Sequence, residues 1–177
     1  MKAQKISKIF IAIFIILSAS NIANASESVG SIDENFYLTK LCRNSDCSLY
    51  QIVNFKPTNG TPVVITDSGL TGDLWFETSG WVSLNPVNGG VLNTQSGVLS
   101  GLGWGQIASW VNFDPSNGGV SINNNGEFEG WAWVSGGYGG WVKFDCTDSS
   151  TCIKTDWRPV SVRGYGGEEG GSVATNN

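Results

Sequence analysis

A 29-residue repeat constrains this chain more than any other feature. Residues 72–100 read GDLWFETSGWVSLNPVNGGVLNTQSGVLS and residues 101–129 read GLGWGQIASWVNFDPSNGGVSINNNGEFE, aligned without a gap. Ten of these 29 positions are identical, and among them Trp75 meets Trp104 and Trp81 meets Trp110. The period continues both ways. Pro57 in NFKPTNG lies 29 residues before Pro86, and Trp133 lies 29 after Trp104. A two-residue insertion in VSGGYGG then moves the next Trp to Trp141, where WVKFD parallels WVNFD. The array covers about residues 43–146, with two clean central copies and degenerate ends. A repeat this short is one supersecondary unit that cannot bury its own apolar face, so the units must pack on one another.

Within a repeat the pattern is β. Short runs of Val, Leu, Phe and Trp are punctuated by Gly, Asn, Pro and Ser. Strands are predicted at Leu74–Phe76, Trp81–Asn85, Gly90–Asn93 and Val98–Leu102, with counterparts 29 residues on. NPVNGG, DPSNGG and NNNGEF read as tight turns, where Gly and Asn tolerate the positive φ required. In WVSL, WVNF and WVKF, period-two alternation turns Val82, Leu84, Val111, Phe113, Val142 and Phe144 towards the core and Trp81, Trp110 and Trp141 to the more polar face. Glycines at 101–103 and 130 are candidate bulges that shift the phase, which leaves the face of Trp75, Trp104 and Trp133 open. The expected fold is all-β, an antiparallel β-meander of tandem 29-residue repeats stacked as an elongated or sandwich-like sheet. A four-bladed propeller fits less well, because 29-residue blades would be unusually small.

The N-terminus reads as an export signal. Lys2, Lys5 and Lys8 precede the apolar run Ile9–Leu17, and Ala23-Asn24-Ala25 forms an A-x-A cleavage site, which assigns residues 1–25 to a signal peptide. The apolar run is shorter than the roughly 20 residues that cross a bilayer, so no stable membrane insertion is expected. Removing the signal leaves seven basic residues against fifteen acidic ones, a net charge of −8 that argues against nucleic acid and anionic lipid as partners. Residues 26–163 form the expected β domain, and the Gly-rich stretch 164–177 reads as a disordered tail. The predicted location is secreted or otherwise extracytoplasmic, in association with the cell surface.

Four cysteines in an exported chain read as disulfides. Three connectivities exist. The short polar spacers favour Cys42–Cys47 and Cys146–Cys152, one at each end of the array, where they would cap it. A Cys₄ zinc site is the alternative and fits neither the spacing nor the compartment.

The chain contains no histidine, which excludes Ser-His-Asp and Cys-His machinery and the usual catalytic zinc sites. Glu77, Asp114, Glu127 and Glu129 are the acids from which a glycoside-cleaving pair could be drawn. SINNNGEF resembles a calcium loop only faintly, and Asp145, Asp148 and Asp156 cluster in sequence near the second disulfide. No catalytic residue, metal or cofactor is assigned.

Seven of the eight tryptophans belong to the array. Two readings stand side by side. In one, the rings stack from repeat to repeat as part of the core. In the other, Trp75, Trp81, Trp104, Trp110, Trp133 and Trp141 form an exposed ridge that stacks on sugar rings. The expected function is a non-catalytic adhesive or structural surface module. Carbohydrate binding through the Trp column is the specific alternative, and the partner would be a polysaccharide or another cell-surface component.

The segments LGWGQIASWVNFDPSNGGVSINNNGEFEGWAW and GWVKFD resemble the Trp/Gly repeats of uncharacterised secreted proteins from candidate-phylum bacteria, with their GxAWxxxxGWIxF pattern. The likeness spans about residues 70–160 and includes CIKTDWRPVS after the array. Ile52 departs from the pattern in the first copy. The resemblance implies a secreted repeat protein and carries no site residues.

Overall fold

A computed structural model describes residues 28–163. The segments read as signal peptide and Gly-rich tail lie outside them. The described chain is all-β and antiparallel. Its strands are β1 (Val29–Cys42), β2 (Tyr50–Asn54), β3 (Val64–Thr66), β4 (Gly69–Thr71), β5 (Asp73–Phe76), β6 (Gly80–Ser83), β7 (Gly90–Asn93), β8 (Leu99–Gly105), β9 (Ser109–Asn112), β10 (Gly119–Ile122), β11 (Phe128–Val134), β12 (Gly140–Phe144) and β13 (Ile153–Thr155).

The strands close on themselves as a barrel instead of stacking as an elongated or sandwich-like sheet. One ring of pairings runs β1–β2–β5–β6–β8–β9–β11–β12 and returns to β1. A second runs β1–β3–β4–β7–β8, crosses to β10 by the bridge Val98↔Ser121, continues to β11, crosses to β13 by Glu127↔Lys154, and returns to β1. The long strands β1, β8 and β11 pass through both rings, and β4–β5 does so in two pieces. Each of four units thus supplies one long strand and two short ones. The first and last units use β1 and β13, which lie outside the span where the repeat is legible. Closure removes the exposed sheet edges that an open stack would leave at its ends.

Glycine marks the crossing between rings. Gly72, Gly101 and Gly130, spaced at the repeat interval, have φ of +100°, +85° and +99°. A Cβ there would lie 2.3, 2.2 and 2.0 Å from the carbonyl oxygens of Pro62, Gly90 and Gly119. The strand expected at Val98–Leu102 therefore does not stop at this glycine. It continues through the bulge into the next repeat's Trp segment as β8.

The alternation read from the sequence holds. Val82, Leu84, Val111, Phe113, Val142 and Phe144 are all buried. Phe55, Phe128 and Phe144 meet near one another with ring centroids 5.7–5.9 Å apart. Trp157, beyond the array, is fully buried, and its Nε1 donates to Asp67 at 3.0 Å. The Arg163 guanidinium clamps the same carboxylate and lies 5.1 Å over the Trp157 ring. Partial burial pushes the Asp67 carboxyl up, but the bonds from Arg163 and Trp157 outweigh it and hold the group below its ordinary value.

Both local disulfides are present, Cys42–Cys47 and Cys146–Cys152. Because the barrel closes, they do not cap opposite ends. Both flank the seam where β1 pairs β12, with Cys42 opposite Trp141 and Lys40 opposite Lys143. Asp145 sits beside this seam. It accepts from the Thr147 hydroxyl and amide at 2.6 and 3.0 Å and pairs with Lys143 at 3.0 Å, which holds its pKa at about 2 against an ordinary 3.8. A carboxyl depressed on folding contributes stability above its unfolded pKa and loses it as pH falls through the folded one. The melting temperature is therefore expected to fall between about pH 4 and pH 2, and Asp145→Asn to flatten that part of the profile. Identical profiles for the two proteins would remove Asp145 from the acid response.

Candidate functional site

Three hairpins carry the aromatic surface. In β5–β6, β8–β9 and β11–β12 the register sets Trp75 opposite Trp81, Trp104 opposite Trp110 and Trp133 opposite Trp141. Their neighbours Leu74, Phe76, Val82, Val111, Ala132 and Val142 point inwards and are buried, so both members of each pair stand on the outer face. This decides the phase left open at Trp75, Trp104 and Trp133. The bulge at the preceding glycine returns them to the side of their partners.

Each pair meets edge to face or tilted. Centroids are 5.0, 4.7 and 5.0 Å apart, at 67°, 59° and 62°. Such cross-strand pairs contribute about 0.5–1.5 kcal/mol beyond the area they bury. Stacking from repeat to repeat is not what forms. Among the described residues the Trp–Trp pairs join rings within one hairpin. Trp75, Trp81, Trp104 and Trp133 keep 38, 42, 40 and 39% of their surface in solvent, and Trp110 and Trp141 are half-buried.

A turn from the preceding unit holds the second ring of each pair. A Cβ on Gly60, Gly89 or Gly118 would lie 2.6, 3.1 or 2.9 Å from Cζ3 of Trp81, Trp110 or Trp141, and 3.1–3.2 Å from Cγ of Pro57, Pro86 or Pro115. The Pro-x-Asn-Gly turn is thus the seat of the next repeat's indole. Proline shapes it and glycine leaves room for the ring. This accounts for the Trp, Pro and Gly that the repeats share.

On the far side of the first Trp, each row ends in a small polar residue. Asn54 pairs with Trp75, Ser83 with Trp104 and Asn112 with Trp133. In the first position, Asn54, Pro57, Thr58, Asn59, Trp75 and Trp81 enclose an open groove of about 510 Å³. In the third, Trp141 also flanks a cleft of about 290 Å³ with Cys42, Asn44, Ser45, Asn117 and Trp131. The lining of both is aromatic and uncharged.

The fourth position departs from the other three. Lys40 and Ile52 stand opposite each other where the other hairpins have Trp pairs. In place of the Pro-x-Asn-Gly turn comes the Cys146–Cys152 loop with its short 3-10 helix, Ser149–Thr151. Lys40 Nζ donates to Ser150 at 2.7 Å and lies 3.8 Å from Asp148. A charged contact and a disulfide close the position.

The acids considered for glycoside cleavage lie apart from these grooves' walls. Glu77 accepts from the Ile52 amide at 3.2 Å. Glu127 pairs with Lys154 at 2.8 Å and shares the Asn123 amide with Glu129. The Lys154 contact, helped by Asn123, holds the Glu127 carboxyl below its ordinary value. That favours the ionised form and disfavours proton donation. Asp114 is exposed at the rim of a turn. Asp145, Asp148 and Asp156 do not converge. Asp156 accepts from Ser31 at 2.5 Å, and no group of three potential ligands is found among the described residues. No described helix is long and apolar enough to cross a membrane.

The face of Trp81, Trp110 and Trp141 was legible in the alternation. Alternation does not state their partners across the hairpin, although the six-residue spacing of Trp75 from Trp81 and of Trp104 from Trp110 is what a tight hairpin needs to place two residues opposite. The Pro-x-Asn-Gly segments read as turns, but their role as the seat of an indole gave no signal, because that indole belongs to the next repeat. Replacing Trp75 by alanine is expected to cost about 2 kcal/mol, roughly half from the aromatic pair and half from partial burial, against about 3–5 kcal/mol for a core ring. Urea unfolding of the oxidised protein measures this. A loss in the core range would place the pair with the barrel's structural interior.

The chain matches no protein-family model, no curated protein and no solved structure.

Proposed function

We propose that this chain is an extracytoplasmic, non-catalytic adhesive module that holds neutral polysaccharide on its paired tryptophans. The observation that carries the reading is the set of three Trp pairs on the outer face, each with at least one exposed ring and each fixed by a turn of the neighbouring unit. Ordering a flexible surface on binding costs affinity, so rings held in advance favour a binding role. Indole faces stack on the apolar faces of sugar rings, and the amides and hydroxyls beside them suit sugar hydroxyls. The leader-like N-terminus and the two disulfides support export.

A purely structural surface repeat is the second reading, favoured by the way the same Trp pairs tie hairpin to turn. The glycoside-cleaving alternative has less support, since the groove lined by Trp75 and Trp81 has no acid in its wall and Glu127 is engaged by Lys154. Affinity electrophoresis through gels cast with soluble neutral polysaccharides tests the proposal. Retardation of the native protein is expected, and its loss in a variant with Trp75, Trp104 and Trp133 all replaced by alanine. Unretarded migration in every gel would overturn it in favour of the structural reading.

A further inference from the structure

We infer that the barrel is trivalent: three corresponding Trp-pair sites, the first of them an open groove, each take one pyranose unit of a neutral glycan, and the fourth is closed by the seam. The inference rests on the binding role proposed above and goes beyond it in site number, ligand class and consequence. Its basis is the repetition of one constellation. The rows Asn54–Trp75–Trp81, Ser83–Trp104–Trp110 and Asn112–Trp133–Trp141 occupy corresponding places in three hairpins. The turn beside each contributes Asn59, Asn88 or Asn117 one residue before the glycine on which the indole rests.

The lining selects the ligand class. Asn54, Thr58 and Asn59 offer donors and acceptors but no charge, beside two indoles. In the first groove a cationic ligand would find ring faces but no carboxylate in the wall. A polyanion would meet a chain of net charge −5 overall and −8 once residues 1–25 are set aside. A volume of about 510 Å³, open to solvent, is within the range of small-ligand sites and too small for a folded partner. Neutral sugar rings satisfy all three conditions.

The fourth position fixes the valence. Lys40 and Ile52 replace the Trp pair, and the Cys146–Cys152 loop replaces the turn. Lys40 is engaged with Ser150 and Asp148. The unit that closes the barrel has given up its groove to hold the seam. Three sites on one rigid body bind a repeating polymer with avidity far above that of one site, typically by 10²–10⁴-fold where the polymer can span the sites. They also let one chain bridge several polymer strands.

Isothermal titration of the oxidised protein with cellohexaose, mannohexaose and laminarihexaose tests the inference, alongside the parent polysaccharides. Three equivalent sites are expected for the oligosaccharide that binds. Trp75→Ala, Trp104→Ala or Trp133→Ala should each leave two sites with unchanged affinity, and the polysaccharide should bind at least tenfold tighter than its oligosaccharide. Leu92→Ala, exposed and away from the grooves, should leave three. Should a Trp variant fail to fold, Asn59→Asp places a charge in the first groove without touching the core and should likewise leave two sites. One site per chain, lost entirely on a single substitution, would overturn trivalency and leave the binding role intact. Absence of binding to any of the three glycans would overturn both. Binding of tetramethylammonium in their place would assign the grooves to cations and overturn the ligand class.

Discussion

Replacing Trp157 by alanine is expected to lower stability by about 3–5 kcal/mol, the range for truncating a fully buried aromatic ring. That is a large fraction of the 5–15 kcal/mol typical of a whole domain. The ring is entirely shielded from solvent, and its backbone lies so close to β1 that a Cβ on Gly30 would stand 2.5 Å from Trp157 Cβ. Truncation opens a cavity that rigid strands cannot collapse to fill. It also removes the N–H that shares Asp67 with Arg163. Trp157→Phe separates these effects, since it restores most of the volume but not the donor, and is expected to cost about half as much. Urea unfolding followed by the remaining tryptophans reads both. A fall in the midpoint at constant slope reports lost stability. A loss below about 1 kcal/mol for the alanine variant would mean that the segment after the array is an appendage and not part of the core.

Gly101→Ala is expected to cost about 2–5 kcal/mol through a different mechanism, a left-handed backbone combined with a steric clash. Gly101 has φ of +85°, and a Cβ would sit 2.2 Å from the Gly90 carbonyl oxygen. The strand must shift at the point where it passes from one ring of pairings to the other. Gly90→Ala is the control. It too has a positive φ, +136°, but nothing lies within 4 Å of its Cβ position. It should show the conformational penalty alone, about 1–2 kcal/mol. Equal losses at the two positions would show that the crossing has room to relax. Thermal and urea unfolding of both variants decide the matter.

Much of the fold was legible in the residues. Strand class, the repeat interval, the inward set from Val82 to Phe144 and the local cysteine pairs all follow from period-two alternation, turn residues and short polar spacers. These are local properties, and a sequence states them directly. The outward face of Trp81, Trp110 and Trp141 follows in the same way. So does the suspicion that Gly101 and Gly130 interrupt a regular strand.

Closure was not legible, and most of the candidate site depends on closure. Whether four units stack in a line or bend into a ring is set by the twist accumulated at each glycine crossing and by whether the last strand reaches the first. No single repeat encodes that. Lys40 precedes the array and Lys143 lies near its end, and they become neighbours only when β1 meets β12. The disulfides thereby change from terminal caps into supports of a seam. The seat of each indole is likewise a contact between units, Trp81 on the turn at Pro57–Gly60 and Trp141 on the turn at Pro115–Gly118. Sequence by itself determined an all-β chain of Trp/Gly repeats with an apolar inner face. Tertiary structure alone decided that the repeats close into a barrel, that each of three outward Trp pairs is seated on a turn of the neighbouring unit, and that the fourth place is closed, because each of these is a contact between different units of the chain.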